Sequence, residues 1–207
     1  MKVSKIIMNA CRLIFIVNGI WILFLGQWGK GLGLLGSLIL TFLPEAYRWL
    51  TKKKVPGKAS MWYVIFILGC QWLGTYLRLY DSLFWWDILL HFSSGFLLGY
   101  IGLVCLMSLD SDYSLFKNKK YMIITLFIFT FSVTGAAIWE MCEFLADQIL
   151  SSFTQLGSLK DTMEDIVCGI VSAFLFASYT YIRLKREKPS SVTSYIRLNH
   201  TKENVKE

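Results

Sequence analysis

Seven ionisable side chains sit inside apolar runs at helical spacing: Asp87 with His91, then Glu140, Glu143 and Asp147, then Asp161 with Asp165. Spacings of three and four put each set on one helix face, and Gly95, Gly99 and Gly169 continue two of those faces. One histidine among several carboxylates is a hard, oxygen-rich ligand set, suited to Mg²⁺, Mn²⁺ or Ca²⁺ ahead of Zn or Fe. The i, i+4 pairs let one helix offer two ligands to one ion. A divalent cation held there would activate water and polarise a phosphoryl or acyl oxygen, with His91, Asp87, Glu140 or Glu143 as catalytic acid–base groups. Without a metal, the same residues suit proton or cation transfer, or the locking of helices together.

Such groups need an apolar scaffold, and the composition supplies one. The 207 residues are 55% hydrophobic and 16% aromatic, with a mean hydropathy of +0.51, more apolar surface than a soluble domain of this size buries. Charged residues, 17% of the chain, gather between the apolar runs. The net charge of +7 arises in short loops beside hydrophobic segments, a pattern of membrane orientation rather than of nucleic-acid binding. Cys11, Cys70, Cys105, Cys142 and Cys168 stand singly in apolar runs, with no C-x-x-C pair and no disulfide-scaffold spacing. Met1 to Lys5 and the apolar run after them suggest a retained first helix, because no small-x-small cleavage site follows near Gly26.

Six segments approach the length that crosses about 30 Å of hydrocarbon; they lie near 8–27, 31–50, 60–79, 83–108, 121–149 and 162–184. The sequence thus predicts an all-α, polytopic membrane protein, with a six-helix transmembrane bundle over 1–184. A polar, basic tail over 185–207 lacks an apolar face and is expected to be disordered or to lie on the inner leaflet. Basic residues alternate between loops. Lys2, Lys5 and Arg12, then Arg48, Lys52, Lys53, Lys54 and Lys58, then Lys117, Lys119 and Lys120, then Arg183, Lys185, Arg186 and Lys188 share one side, against Lys30, Arg78 and Lys160 on the other. By the positive-inside rule both termini are cytoplasmic (N-in/C-in).

In the second segment, Gly31, Gly33 and Gly36 match G-x-G-x-x-G, but no strand precedes them, so close helix packing is the better reading. Pro44 predicts a kink or stop there, with Glu45 and Arg48 at a pairing distance of three. Trp62, Trp72, Trp85, Trp86 and Trp139 fit mostly an interfacial belt.

With this topology the three polar faces share one depth. At about 1.5 Å per residue, His91 lies roughly 12 Å from the start of the fourth helix and Glu140 roughly 14 Å from the end of the fifth. Facing lipid, seven charges at about 2.5 kcal/mol each would cost roughly 17 kcal/mol, more than a typical protein's whole stability. They must face one another or water. For Asp147, Asp161 and Glu164, nearest the interface, solvated helix-end carboxylates explain the pattern equally well; for Glu140, Glu143 and His91, placed deeper, that explanation is weaker. Arg78 and Lys160 are the nearest basic residues and suit a substrate phosphate, although pairing with a neighbouring acid is more economical. The Gly95 and Gly99 face suits helix packing.

Taken in order, Leu43-Pro44, Val55-Pro56, Leu73-Gly74, Trp86-Asp87 with His91 and Gly95, Glu140 with Glu143-Phe144 and Asp147, and Asp161-Thr162 with Asp165 and Gly169 resemble the YjdF-like bacterial inner-membrane proteins over about residues 40 to 175. More distantly, the chain resembles the VanZ-like membrane proteins. The first likeness implies a multi-pass protein of the bacterial cytoplasmic membrane, in a family of unknown function. The second is tied to glycopeptide resistance without a settled chemistry. At Leu73-Gly74-Thr75 the chain departs from the pattern, in which a glutamate follows the glycine.

Three functions follow from these residues. One is a metal-dependent hydrolase or transferase acting on a lipid or lipid-linked substrate, its cation held among Asp87, His91, Glu140, Glu143, Asp147, Asp161 and Asp165; no G-x-S-x-G supports a metal-free acyl-enzyme. Another is an ion- or proton-coupled transporter, for which Asp87, His91, Gly95 and Gly99 against Asp161, Asp165, Gly169 and Ala173 give only a faint repeat. The third is a non-catalytic immunity or interaction protein. Membrane lipids are the expected partners, nucleic acid is not, and the sequence specifies no oligomeric state.

Overall fold

The computed structural model describes residues 2–110, 112–150 and 158–203, and among these there is no strand. The helices are α1 (Lys2–Phe24), α2 (Trp28–Leu40), α3 (Leu43–Thr51), α4 (Gly57–Leu68) continuing into a π-helix (Gly69–Tyr76), α5 (Leu79–Ser82), α6 (Trp86–Leu109), α7 (Ser114–Lys117), α8 (Tyr121–Leu150), α9 (Leu159–Lys185) and α10 (Ser191–Glu203). Among the described residues, four single helices are long and apolar enough to cross a membrane: Lys2–Phe24, Trp86–Leu109, Tyr121–Ile149 and Leu159–Lys185. The chain divides into two compact units, Met1–Trp86 with Arg197–Glu207, and Asp87–Ile196.

In the first unit, Phe15, Ile22 and Leu34 form a core with Leu38, Ile67 and Trp72 around it, and Met8, Cys11 and Val64 form a second. Two of the six expected spans take another form. The 31–50 segment is split between α2 and α3 at Thr41 and Phe42, because Pro44 has no N–H for the carbonyl of Leu40, four residues back, and its ring crowds that carbonyl. Pro44 falls instead in the first turn of α3, where the missing donor costs nothing.

Arg12, expected to flank the first span, is buried within α1 and serves this break. Its Nε donates to Thr41 Oγ1 at 3.1 Å, and its Nη2 donates to the Thr41 carbonyl at 2.7 Å and to Glu45 Oε1 at 2.8 Å. Its guanidinium carbon lies 3.9 Å from the Phe42 ring centre. The guanidinium therefore meets a carbonyl at the C-terminal end of α2 that helix geometry leaves open.

The 60–79 segment departs from regular α-helix at Gly69. Within the π-helix, Thr75 Oγ1 donates to the carbonyl of Cys70, five residues back, at 3.3 Å. Gly74 lies beneath the Tyr80 ring, where any Cβ would collide. In the tail, Asn199 Oδ1 accepts the Lys54 N–H at 2.7 Å and Asn199 Nδ2 donates to the Lys54 carbonyl at 3.0 Å.

In the second unit, the long helices bury stripes of period four. They are His91, Gly95, Gly99 and Leu103 on α6; Ile124, Ile128, Ser132, Ala136 and Glu140 on α8; and Asp165, Gly169, Ala173 and Ala177 on α9. Each stripe carries its ionisable residue at one end. Small residues allow close contact: a Cβ on Gly95 would lie 2.8 Å from the Gly169 carbonyl oxygen and 3.0 Å from Ala173 N, and one on Gly169 would lie 3.0 Å from Ala136 Cβ. The Ser132 hydroxyl donates to the Gly95 carbonyl at 2.9 Å.

In the tail, expected to be disordered or to lie on the inner leaflet, Ser191–Glu203 form a helix in which Val192, Tyr195 and Ile196 supply a buried apolar face at spacings of three and four. The Tyr195 hydroxyl lies 3.4 Å from Ser108 Oγ. Residues 204–207 of that tail lie outside the described residues.

Candidate metal centre

The polar ends of the three stripes converge on His91. Its Nε2 lies 3.3 Å from Asp87 Oδ1 and 3.9 Å from Asp165 Oδ2, and its Nδ1 lies 3.5 Å from Glu140 Oε1. Glu140 and Asp165 are each 3% exposed and His91 8%, while Asp87 is half-buried. Asp87 and His91 are neighbours because they are four apart on α6. Asp165 and Glu140 reach them only because α6, α8 and α9 cross closely at their glycine, alanine and serine positions.

Among the described residues, Asp87, His91 and Asp165 each offer one ligand atom, and these atoms lie within 4.8 Å of one another. Ligand atoms about 2.1–2.4 Å from a shared Mg²⁺ or Ca²⁺ stand roughly 3–4.8 Å apart, so the spacing suits such an ion. The two imidazole nitrogens are differentiated: Nε2 faces the two aspartates and Nδ1 faces Glu140, the arrangement that orients a metal-ligating histidine from behind.

The other sequence candidates stand outside that three-atom group. Glu143, half-buried and one turn beyond Glu140, accepts the Trp139 indole N–H at 2.8 Å. Trp139 thus does more than belong to an interfacial belt, and its i, i+4 spacing to Glu143 was the available signal. Asp161 is half-buried one turn before Asp165, and its backbone N–H bonds the Ser158 hydroxyl that caps α9. Asp147 is half-buried further along α8. Arg78 pairs with Asp81 at 2.7 Å and Lys160 lies 3.5 Å from Glu164, all four exposed. Ser132, which ties α8 to α6 next to the group, carries no sequence signal beyond its place in the period-four stripe.

A family model described as "Predicted membrane protein (DUF2238)" matches residues 4–186, a span that contains every residue of the group. An uncharacterized protein of Thermotoga maritima is 24% identical over 140 residues, covering 68% of this chain and 70% of its own length. No solved structure matches. By a match over most of its length, the chain belongs to the predicted membrane protein family DUF2238.

Proposed function

We propose that this membrane protein binds a divalent cation between Asp87, His91 and Asp165 and uses it as a hydrolase or transferase on a lipid or lipid-linked substrate. The observation that carries this reading is the convergence of three ligand atoms within 4.8 Å, backed by Glu140 behind the imidazole. The hard donor set favours Mg²⁺, Mn²⁺ or Ca²⁺, and three protein ligands leave positions for water and substrate. A cation there supplies an activated water and polarises a phosphoryl or acyl oxygen. Glu140, 3.5 Å from Nδ1, would favour the imidazole tautomer protonated on that side, which would leave Nε2 to hold a cation. Glu143 and Asp161, one turn from Glu140 and Asp165, take the acid–base role.

Depth supports the substrate class. His91 is the sixth residue of α6 and Asp165 the seventh of α9, so the group lies about 8–9 Å along each helix from its first residue, near the level of lipid headgroups and ester linkages. The topology that accompanies this reading has six crossings and cytoplasmic termini, with α2 and α3 forming the second crossing and α4 with its π-helix the third. The YjdF-like resemblance and the DUF2238 match then describe one family of the bacterial cytoplasmic membrane, a reading supported by the Thermotoga relative.

The test is elemental analysis of detergent-purified protein reloaded with Mn²⁺, Mg²⁺ or Ca²⁺, beside an Asp87→Asn, Asp165→Asn variant of equal monodispersity. Stoichiometric metal in the wild type and its loss in the variant are expected, and would direct assays to lipid phosphates and esters. Metal absent from both would overturn the reading in favour of a proton carrier or a structural lock.

A further inference from the structure

Helix α3 differs from its neighbours in burying none of its residues. Its sequence is sharply two-sided: Leu43, Ala46, Tyr47, Trp49 and Leu50 fall on one side of the helical projection, and Pro44, Glu45, Arg48 and Thr51 on the other. Glu45 is held by the Arg12 guanidinium at 2.8 Å, while the apolar residues stand open, Leu43 at 51%, Trp49 at 72% and Leu50 at 69% exposed.

The basic run that follows is ordered rather than loose. Lys52 takes a left-handed conformation (φ 58°) that ends the helix. The Thr51 hydroxyl donates to the Tyr47 carbonyl at 2.8 Å and accepts the Lys53 N–H at 3.2 Å. Asn199 clamps the Lys54 backbone through both its amide atoms. Lys52 Nζ lies 5.8 Å from the Trp49 ring centre, so aromatic surface and positive charge occur side by side, with Arg48, Lys54 and Lys58 also exposed.

We infer that α3 and the turn after it form a binding surface for anionic phospholipid. Acyl chains lie on the Leu43, Trp49 and Leu50 stripe, and the headgroup phosphate is met by Arg48, Lys52, Lys54 and Lys58. Orientation by charge count alone does not require the fixed turn that Thr51 and Asn199 impose on this basic run. The combination of an aromatic and aliphatic stripe with adjoining cations is what draws a helix to an anionic leaflet. The inference is independent of the metal centre.

The test uses the full chain reconstituted in phosphatidylcholine vesicles containing phosphatidylglycerol. Electron paramagnetic resonance reads the association of spin-labelled phosphatidylglycerol relative to spin-labelled phosphatidylcholine. An Arg48→Gln, Lys52→Gln, Lys54→Gln variant is set against a Lys120→Gln, Arg186→Gln, Lys188→Gln variant with the same change in charge, also at exposed positions. The first is expected to lose selectivity by about fivefold for each cation removed, and the second to keep the wild-type value. Equal loss in both, or none in the first, overturns the inference, because either result means diffuse attraction or no site. Should the first variant fail to reconstitute, Lys52→Gln alone decides the matter by the same comparison against Arg186→Gln.

Discussion

Gly95 is one helical turn from His91, and it faces Gly169, one turn from Asp165, so the packing of these two glycines sets whether the aspartate reaches the imidazole. An alanine at 95 would put a Cβ 2.8 Å from the Gly169 carbonyl oxygen and 3.0 Å from Ala173 N, and would overlap the Ser172 hydroxyl. The hydroxyl can rotate, but the backbone cannot. Ordinary contact begins at 3.4 Å, so α6 and α9 must part by roughly 0.6 Å. Overpacking of this kind costs about 1–3 kcal/mol, which for a chain of this length corresponds to a fall in Tm of about 2–12 °C.

The same displacement falls on a His91 to Asp165 separation already at 3.9 Å, and metal ligands tolerate departures of only about 0.2 Å. Gly95→Ala should therefore lose divalent-cation loading together with thermal stability, without any ligand having been changed. Gly99→Ala is the comparison: its Cβ would meet the Phe176 ring edge at 2.5 Å, and a ring can swing where a backbone cannot, so its loss should be smaller. Melting in detergent and metal content after reloading check both. A Gly95→Ala protein that melts and loads like the wild type, or proves more robust than Gly99→Ala, would refute the reasoning.

Three further outcomes follow from the same structure. Arg12→Gln should destabilise by about 1–3 kcal/mol, because it removes the charged donor from the half-buried Glu45 and from the Thr41 carbonyl, while Arg12→Lys, which keeps the charge but not the fork, should fall between; thermal melts in one detergent rank them. Ser132→Ala, removing the hydroxyl bond to the Gly95 carbonyl, should cost about 0.6 kcal/mol and no more than about 1.7 kcal/mol, and in combination with Gly95→Ala the melting shifts should not add, since both act on one crossing.

In the turn after α6, burial alone would raise the Asp110 carboxyl, but the Leu115 N–H at 2.9 Å, the Ser114 hydroxyl at 2.8 Å, the Ser114 N–H at 3.0 Å and the Lys117 charge hold it below its ordinary 3.8. A lowered carboxyl adds stability that is present above the unfolded value and is lost as pH falls through the folded one. The Tm gap between wild type and Asp110→Ala should accordingly close in acid. A gap that holds or widens there would contradict this.

What the sequence by itself determines here is local. Apolar runs of spanning length set the all-helical, membrane-bound character, and spacings of three and four put Asp87 with His91, and Asp161 with Asp165, on shared faces, since a helix fixes its own neighbours at those intervals. Pro44 likewise marks the break in the second segment, because the missing N–H is a property of the residue itself. Other features depend on which helix lies against which. Glu140 and Asp165 approach His91 because the close crossing at Gly95 and Gly169 sets their depth. Arg12 looks like a flanking cation until Thr41 and Glu45 arrive from another helix to bury it. Val192, Tyr195 and Ile196 look like isolated apolar residues in a polar tail until their face is covered. Charge and hydropathy are carried by the residue, but burial and ligand geometry are properties of pairs distant in sequence, so only the tertiary structure decides them.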